Sequence, residues 1–120
     1  MQGRFDMNFQ QLQQEVALWS AENFGDQPSH RPLLGVQEEI GELAHSHLKA
    51  EQGIRGTAAE HLAAKKDAIG DLLIFLADYC GRERISLQEC VETTWGEVKK
   101  RNWRENSKDG ITPVLKEPEE

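Results

Sequence analysis

Apolar residues in this chain recur at intervals of three and four, and strict alternation of Val, Ile and Thr is missing, so the pattern predicts helices. The first helix is expected from about Asn8 to Asn23, with Asn8 as N-cap and Gln11 completing a weak capping box. Phe9, Leu12, Val16 and Trp19 form its buried stripe. Gly25-Asp-Gln-Pro-Ser-His-Arg-Pro32 then combines a glycine with two prolines and predicts a loop. A second helix should run from Pro32 or Leu33 to Ala50, ended by the polar, glycine-containing stretch Glu51 to Thr57. A third is expected from Ala58 to Tyr79, closed by Gly81 as a C′ residue. The fourth opens on the capping box Ser86-Leu-Gln-Glu89 and continues to about Glu105.

Four helices joined by short links predict an all-α chain arranged as an antiparallel four-helix bundle. Residues 1–106 make the helical domain. Residues 107–120, with two prolines and a Glu-Pro-Glu-Glu end, make a tail expected to be loosely ordered or to pack on a partner subunit. Placed at 100° per residue, Leu33, Val36, Ile40, Leu43 and Ala44 fall on one side of the second helix. Glu38, Glu42, His45 and Lys49 fall opposite, with Glu39 on a flank. On the third helix Ile69, Leu72, Leu73, Leu76 and Cys80 read as core. Asp67, Asp71 and Asp78 line the other side, flanked by Ile74 and Phe75.

Composition narrows the functional classes. Over 120 residues, 14 Lys and Arg stand against 21 Asp and Glu, a formal charge of -7, so the chain lacks the basic footprint of a duplex-binding protein. No nucleic-acid duplex is expected as partner. The longest apolar run, Leu72 to Ala77, falls far short of the ~20 residues of a membrane span, and the first twenty residues lack a signal-peptide core. Two cysteines, Cys80 and Cys90, form no paired Cys-x-x-Cys element and are expected to be reduced. A soluble, cytoplasmic protein without membrane contact is the expectation.

Carboxylates at i, i+3 and i+4 on one helix face repel, and a cation removes that penalty. Clustered carboxylate oxygens suit Mg²⁺ or Mn²⁺, which keep waters and recruit substrate phosphates. Glu39-Ile-Gly-Glu-Leu43 is echoed by Ala68-Ile-Gly-Asp-Leu72, and each echo holds a mid-helix glycine, costing ~1 kcal/mol relative to Ala. Gly41 and Gly70 therefore permit close approach of a helix or a ligand. The plain alternative is a solvated acidic face.

Glu38-Glu39-Ile-Gly-Glu42, followed by Asp67-Ala-Ile-Gly-Asp71-Leu-Leu-Ile-Phe-Leu, resembles the E-E-x-x-E and E-x-x-D signature of the MazG-like all-α nucleoside triphosphate pyrophosphohydrolases. The resemblance covers the two central helices directly and, more loosely, Phe9 to Asn106. It implies Mg²⁺-dependent cleavage of a nucleoside triphosphate to the monophosphate and pyrophosphate. Glu39, Glu42 and Asp71 would be metal ligands, and Glu38 a further ligand or a water-orienting base. It also implies a homodimer or dimer of dimers that completes the bundle. One position departs from the signature: Ala68 stands where Glu is expected, and Asp67, i to i+4 from Asp71, is the candidate to replace that carboxylate; if it cannot reach, metal affinity falls.

Lys99, Lys100, Arg101, Asn102 and Arg104 form a dense basic cluster. The resemblance assigns Lys100, Asn102 and Arg104 to the triphosphate; favourable placement of cations near a helix C-terminus is the alternative. Trp19 and Asn23, with Phe24 and His30, are candidates for a base pocket, and packing is the alternative for Trp19. Trp95 and Trp103, eight apart, read as packing residues. Glu42-x-x-His45 has the spacing of di-metal carboxylate bundles, but His30, His47 and His61 lack a Glu three residues before them. A second class stays open: a non-catalytic helical module that binds nucleotides or a partner, having lost a metal ligand at Ala68.

Overall fold

The structure is a computed structural model that describes residues 7–113. Among these residues the fold is all-helical, with α1 (Phe9–Phe24), α2 (His30–Gln52), α3 (Ala58–Arg82) and α4 (Leu87–Val98) and no strand. No helix among them is long and apolar enough to cross a membrane. The chain divides at Gln88/Glu89 into two compact units.

Local chemistry sets the helix starts. Asn8 caps α1 and Thr57 caps α3, each as a full capping box, with Gln11 and Glu60 reaching back to the cap N–H. Gly53 ends α2 with φ 68°, a left-handed conformation that glycine adopts without a Cβ penalty. α4 begins at Leu87, directly after Ser86.

Several helix ends differ from expectation. α2 begins at His30, inside the stretch expected to be loop, and runs on to Gln52. α3 runs through Gly81 to Arg82, because the Arg82 guanidinium is held by Asp78 one turn back and by the α1–α2 loop. α4 stops at Val98, short of Glu105. The chain there folds into local turns: Asn102 N–H donates to the Gly110 carbonyl at 2.7 Å, and Asn102 Oδ1 accepts from the N–H groups of Arg104 and Glu105. An Asn side chain that captures nearby N–H groups competes with helix continuation. The expected tail falls partly on residues 114–120, outside the described residues; residues 107–112 join the same turns through Asn106, Asp109 and Thr112.

Within the first unit, α3 packs against both α2 and α1. Gly35 lies under the Phe75 ring, and further along α2 Glu39, then Ser46, meet Asp71, then Ala64, which run back along α3. The two helices are therefore antiparallel. The apolar core sits on the other side of α3, where Val16, Ala77, Cys80 and Leu87 are buried and Phe9, Leu12, Leu76 and Tyr79 pack around them. Removing such side chains from water contributes about 1.5–3 kcal/mol for each large one.

The stripes expected to be core are only partly so. Trp19 is half exposed, and Ser20, its neighbour, is buried in its place. On α2 the buried residues are Pro32, Gly35 and Ser46, whereas Leu33 and Ile40 are 46% and 47% exposed. α2 thus turns its small and acidic face toward α3 and its apolar face outward. Phe75 explains this choice, since only a residue without a side chain can lie beneath its ring: a Cβ on Gly35 would come within 2.6 Å of it. Ile69 on α3 is likewise half exposed, and Ala68 is buried.

Candidate metal centre

The inward acidic face of α2 and the facing side of α3 enclose a depression of about 250 Å³, lined by Glu38, Glu39, Glu42, Ser46, Ala64, Asp67, Ala68 and Asp71. The structure thus brings together the five carboxylates named as site residues on these helices and leaves Asp78 out. They arrive there by spacing: Glu38, Glu39 and Glu42 lie within little more than one turn of α2, and Asp67 and Asp71 are one turn apart on α3. Ala68, buried between the two aspartates, forms part of the lining without offering a ligand atom. Asp67 lines the same depression and supplies a carboxylate one position earlier.

Electrostatics at this seam are one-sided. Partial withdrawal from water pushes the Glu39 carboxyl above its ordinary value, and the negative charges of Asp71, Glu38, Glu42 and Asp67 add to the effect. Among the described residues none of these five carboxylates is in an ion pair. The lining offers hard oxygen donors, the set that Mg²⁺ and Mn²⁺ prefer. Among the described residues no three such groups stand as a ready-made cage, so a cation would bind here only if the carboxylates moved inward.

Other candidate residues lie elsewhere. Trp19 meets Phe24 edge to face, with centroids 5.5 Å apart, and Asn23 Nδ2 donates to the Trp19 carbonyl at 2.8 Å. Neither Trp19 nor Asn23 lines the acidic depression. His45 is exposed and also outside it, although Glu42 three residues before is inside. Lys100, Asn102 and Arg104 belong to the second unit and are exposed. There Lys100 Nζ stands 3.8 Å from Glu97 Oε1, while Asn102 spends its side-chain oxygen on the turn described above.

Ser46, Arg82 and the role of His61 escaped the sequence reading, and Asp78 was misassigned by it. Ser46 lines the depression and is detectable as the residue one turn after Glu42 and two after Glu39. Asp78, grouped by pattern with Asp67 and Asp71, is instead buried: its Oδ1 accepts from Arg82 Nε at 2.8 Å and its Oδ2 from Ser20 Oγ at 2.9 Å. His61 is buried at the start of α3, with Nε2 donating to the Ile54 carbonyl at 2.9 Å. Arg82 stands i+4 from Asp78, a helical ion-pair spacing that the expected end of α3 at Tyr79 concealed, whereas nothing in helical periodicity marks His61, which acts on a loop.

Comparison with known proteins identifies no relative: no family model, no curated protein and no solved structure matches the chain.

Proposed function

We propose that this protein is a Mg²⁺-dependent nucleoside triphosphate pyrophosphohydrolase of the MazG-like kind. The observation that carries the proposal is the meeting of Glu38, Glu39, Glu42, Asp67 and Asp71 around one depression between α2 and α3. Asp67, which lines the same depression, would take the place of the signature carboxylate missing at Ala68. Glu39, Glu42, Asp67 and Asp71 would hold the cation, Mg²⁺ or Mn²⁺. When bound, such an ion neutralises the phosphates and acidifies water. Glu38 would orient the attacking water and accept its proton on a carboxylate oxygen. Attack at the α- or the β-phosphorus yields the same monophosphate and pyrophosphate. Lys100, Asn102 and Arg104 are carried as triphosphate contacts, and Trp19 and Asn23 as base contacts, from the resemblance and the side-chain chemistry.

A homodimer or dimer of dimers completes this proposal. Its support is the outward apolar face: Leu33, Leu34, Ile40 and Leu48 of α2 and Leu62 and Ile69 of α3 are all about half exposed or more. An exposed apolar face of this kind marks an interaction surface. A single species of monomer mass by light scattering would remove this part.

A non-catalytic nucleotide- or partner-binding module is the second reading, favoured by one observation: the buried signature position is an alanine. ³¹P NMR with canonical and modified nucleoside triphosphates, with and without Mg²⁺, separates the two. Monophosphate and pyrophosphate formed only with metal are expected. No turnover across the panel by folded protein would favour the binding module.

A further inference from the structure

His61 and Arg82 of α3 lie near its opposite ends, and each grips a loop that adjoins α2. Near the N-terminus of α3, His61 Nε2 donates to the Ile54 carbonyl at 2.9 Å, just after α2 ends. Near the C-terminus, Arg82 donates to the Gly25 and Gln27 carbonyls at 3.2 and 2.9 Å, just before α2 begins. Arg82 is itself fixed by Asp78 at 2.8 Å and by Ser20 Oγ at 2.6 Å. The acidic seam lies between these two grips. There the helices carry like charge toward one another, Glu38, Glu39 and Glu42 from α2 and Asp67 and Asp71 from α3. The rest of the lining is small, Ser46, Ala64 and Ala68, and adds little apolar surface at the depression itself.

We infer that His61 and Arg82 are a pair of clasps that hold α2 against α3 from both ends, keeping the repelling seam carboxylates at a preset separation. They are positioning residues: neither lines the depression, and each acts through the loop it holds. The inference needs only the charge at the seam. In its consequence for a divalent cation, it rests on the function proposed above. Ligands already held near one another need less reorganisation when the ion arrives.

A double-mutant cycle tests the clasps on the full chain without metal. His61→Ala removes one clasp, and His61→Gln keeps a donor for the Ile54 carbonyl. Arg82→Lys keeps the charge beside Asp78 but cannot make all four bonds of the guanidinium. Each is combined with the seam-neutralising pair Asp67→Asn and Asp71→Asn, and thermal midpoints are read at low ionic strength. His61→Ala and Arg82→Lys are each expected to lower the midpoint by roughly 4–8 °C in the native background, the range for a lost buried hydrogen bond. In the neutralised background the loss should shrink to about half or less, because less repulsion is left to resist. His61→Gln should restore most of the midpoint. Equal losses in both backgrounds would overturn the inference, as would failure of His61→Gln to restore stability.

Mn²⁺ titration followed by electron paramagnetic resonance keeps the two proposals separate. Weaker Mn²⁺ binding by His61→Ala, by about tenfold and reversed in His61→Gln, supports both the clasps and the metal centre. Coupling in the thermal cycle with no Mn²⁺ binding by the native chain supports the clasps and overturns the metal centre.

Discussion

Asp71 and Asp78 lie on the same helix two turns apart, yet α3 gives them opposite electrostatic settings. Asp78 is buried and fully partnered, its two oxygens taken by Arg82 and Ser20, and the same guanidinium ties down the loop that leads into α2. Asp71 faces the depression with four other carboxylates and, among the described residues, no cationic side chain paired with it. A carboxylate that serves only the fold is neutralised by the fold. One left among like charges is a standing cost, and a cation arriving from solution is the simplest group to remove it. The same residue type, at the same helical phase, is thus structural at one end of α3 and available for chemistry in the middle.

The largest effect is expected at the structural end. Asp78→Ala leaves the Arg82 guanidinium without its carboxylate in a site where the two side chains are only 15% and 7% exposed. Breaking such a pair costs about 3–5 kcal/mol, so urea unfolding should show a chain close to its stability limit. A loss under about 1 kcal/mol would mean that Asp78 and Asp71 are not electrostatically distinct. Asp71→Asn should do the reverse. Removing one of the repelling charges leaves apo stability unchanged or slightly higher, while metal-dependent turnover falls at least about 100-fold. Circular dichroism and pyrophosphate release on the same sample check both halves. Full activity in Asp71→Asn would withdraw its ligand role.

Legibility in the sequence followed the range of the interactions. The start of α1 could be read because its cap lies within one turn of chain, Asn8 and Gln11. The grouping of Glu38, Glu39 and Glu42, and of Asp67 and Asp71, could be read because helical phase is also local. Which face would turn inward could not: periodicity finds two faces of α2, but only the partner helix decides which is covered. Gly35 beneath Phe75 made that decision, and the residues involved are far apart in sequence. Asp78 was misplaced with the other aspartates because Ser20 reaches it only through the packing of α1 on α3, and because Arg82, four residues on, lay beyond the expected end of the helix. The extension of α3 through Gly81 follows from that network as well.

Smaller effects resolve the seam itself. Gly35→Ala puts a Cβ within 2.6 Å of the Phe75 ring, so the ring or the helix must move. Overpacking costs typically about 1–3 kcal/mol and better helix propensity returns at most ~1, which leaves a net loss of up to about 2 kcal/mol in thermal unfolding. A neutral result would show that Phe75 yields easily and that the close approach there does not fix the register of the carboxylates.

Gly70→Ala, next to Asp71, should have the smallest effect and the opposite sign. A Cβ at Gly70 meets nothing within 4 Å, as at Gly41, so neither glycine is required for helix approach inside the protomer. Replacing a mid-helix glycine in open space contributes up to ~1 kcal/mol, read as a rise of several degrees in the thermal midpoint at low protein concentration. If the midpoint rises while Mg²⁺-dependent turnover or assembly falls, the glycine is kept for what approaches from outside: a phosphate-bearing ligand if turnover alone is lost, a second copy if the molecular mass drops with it. If neither changes, Gly70 is a cost to α3 without a function. A midpoint that falls would instead place an unrecognised contact at Gly70 and make the middle of α3 as tightly packed as the end that holds Asp78.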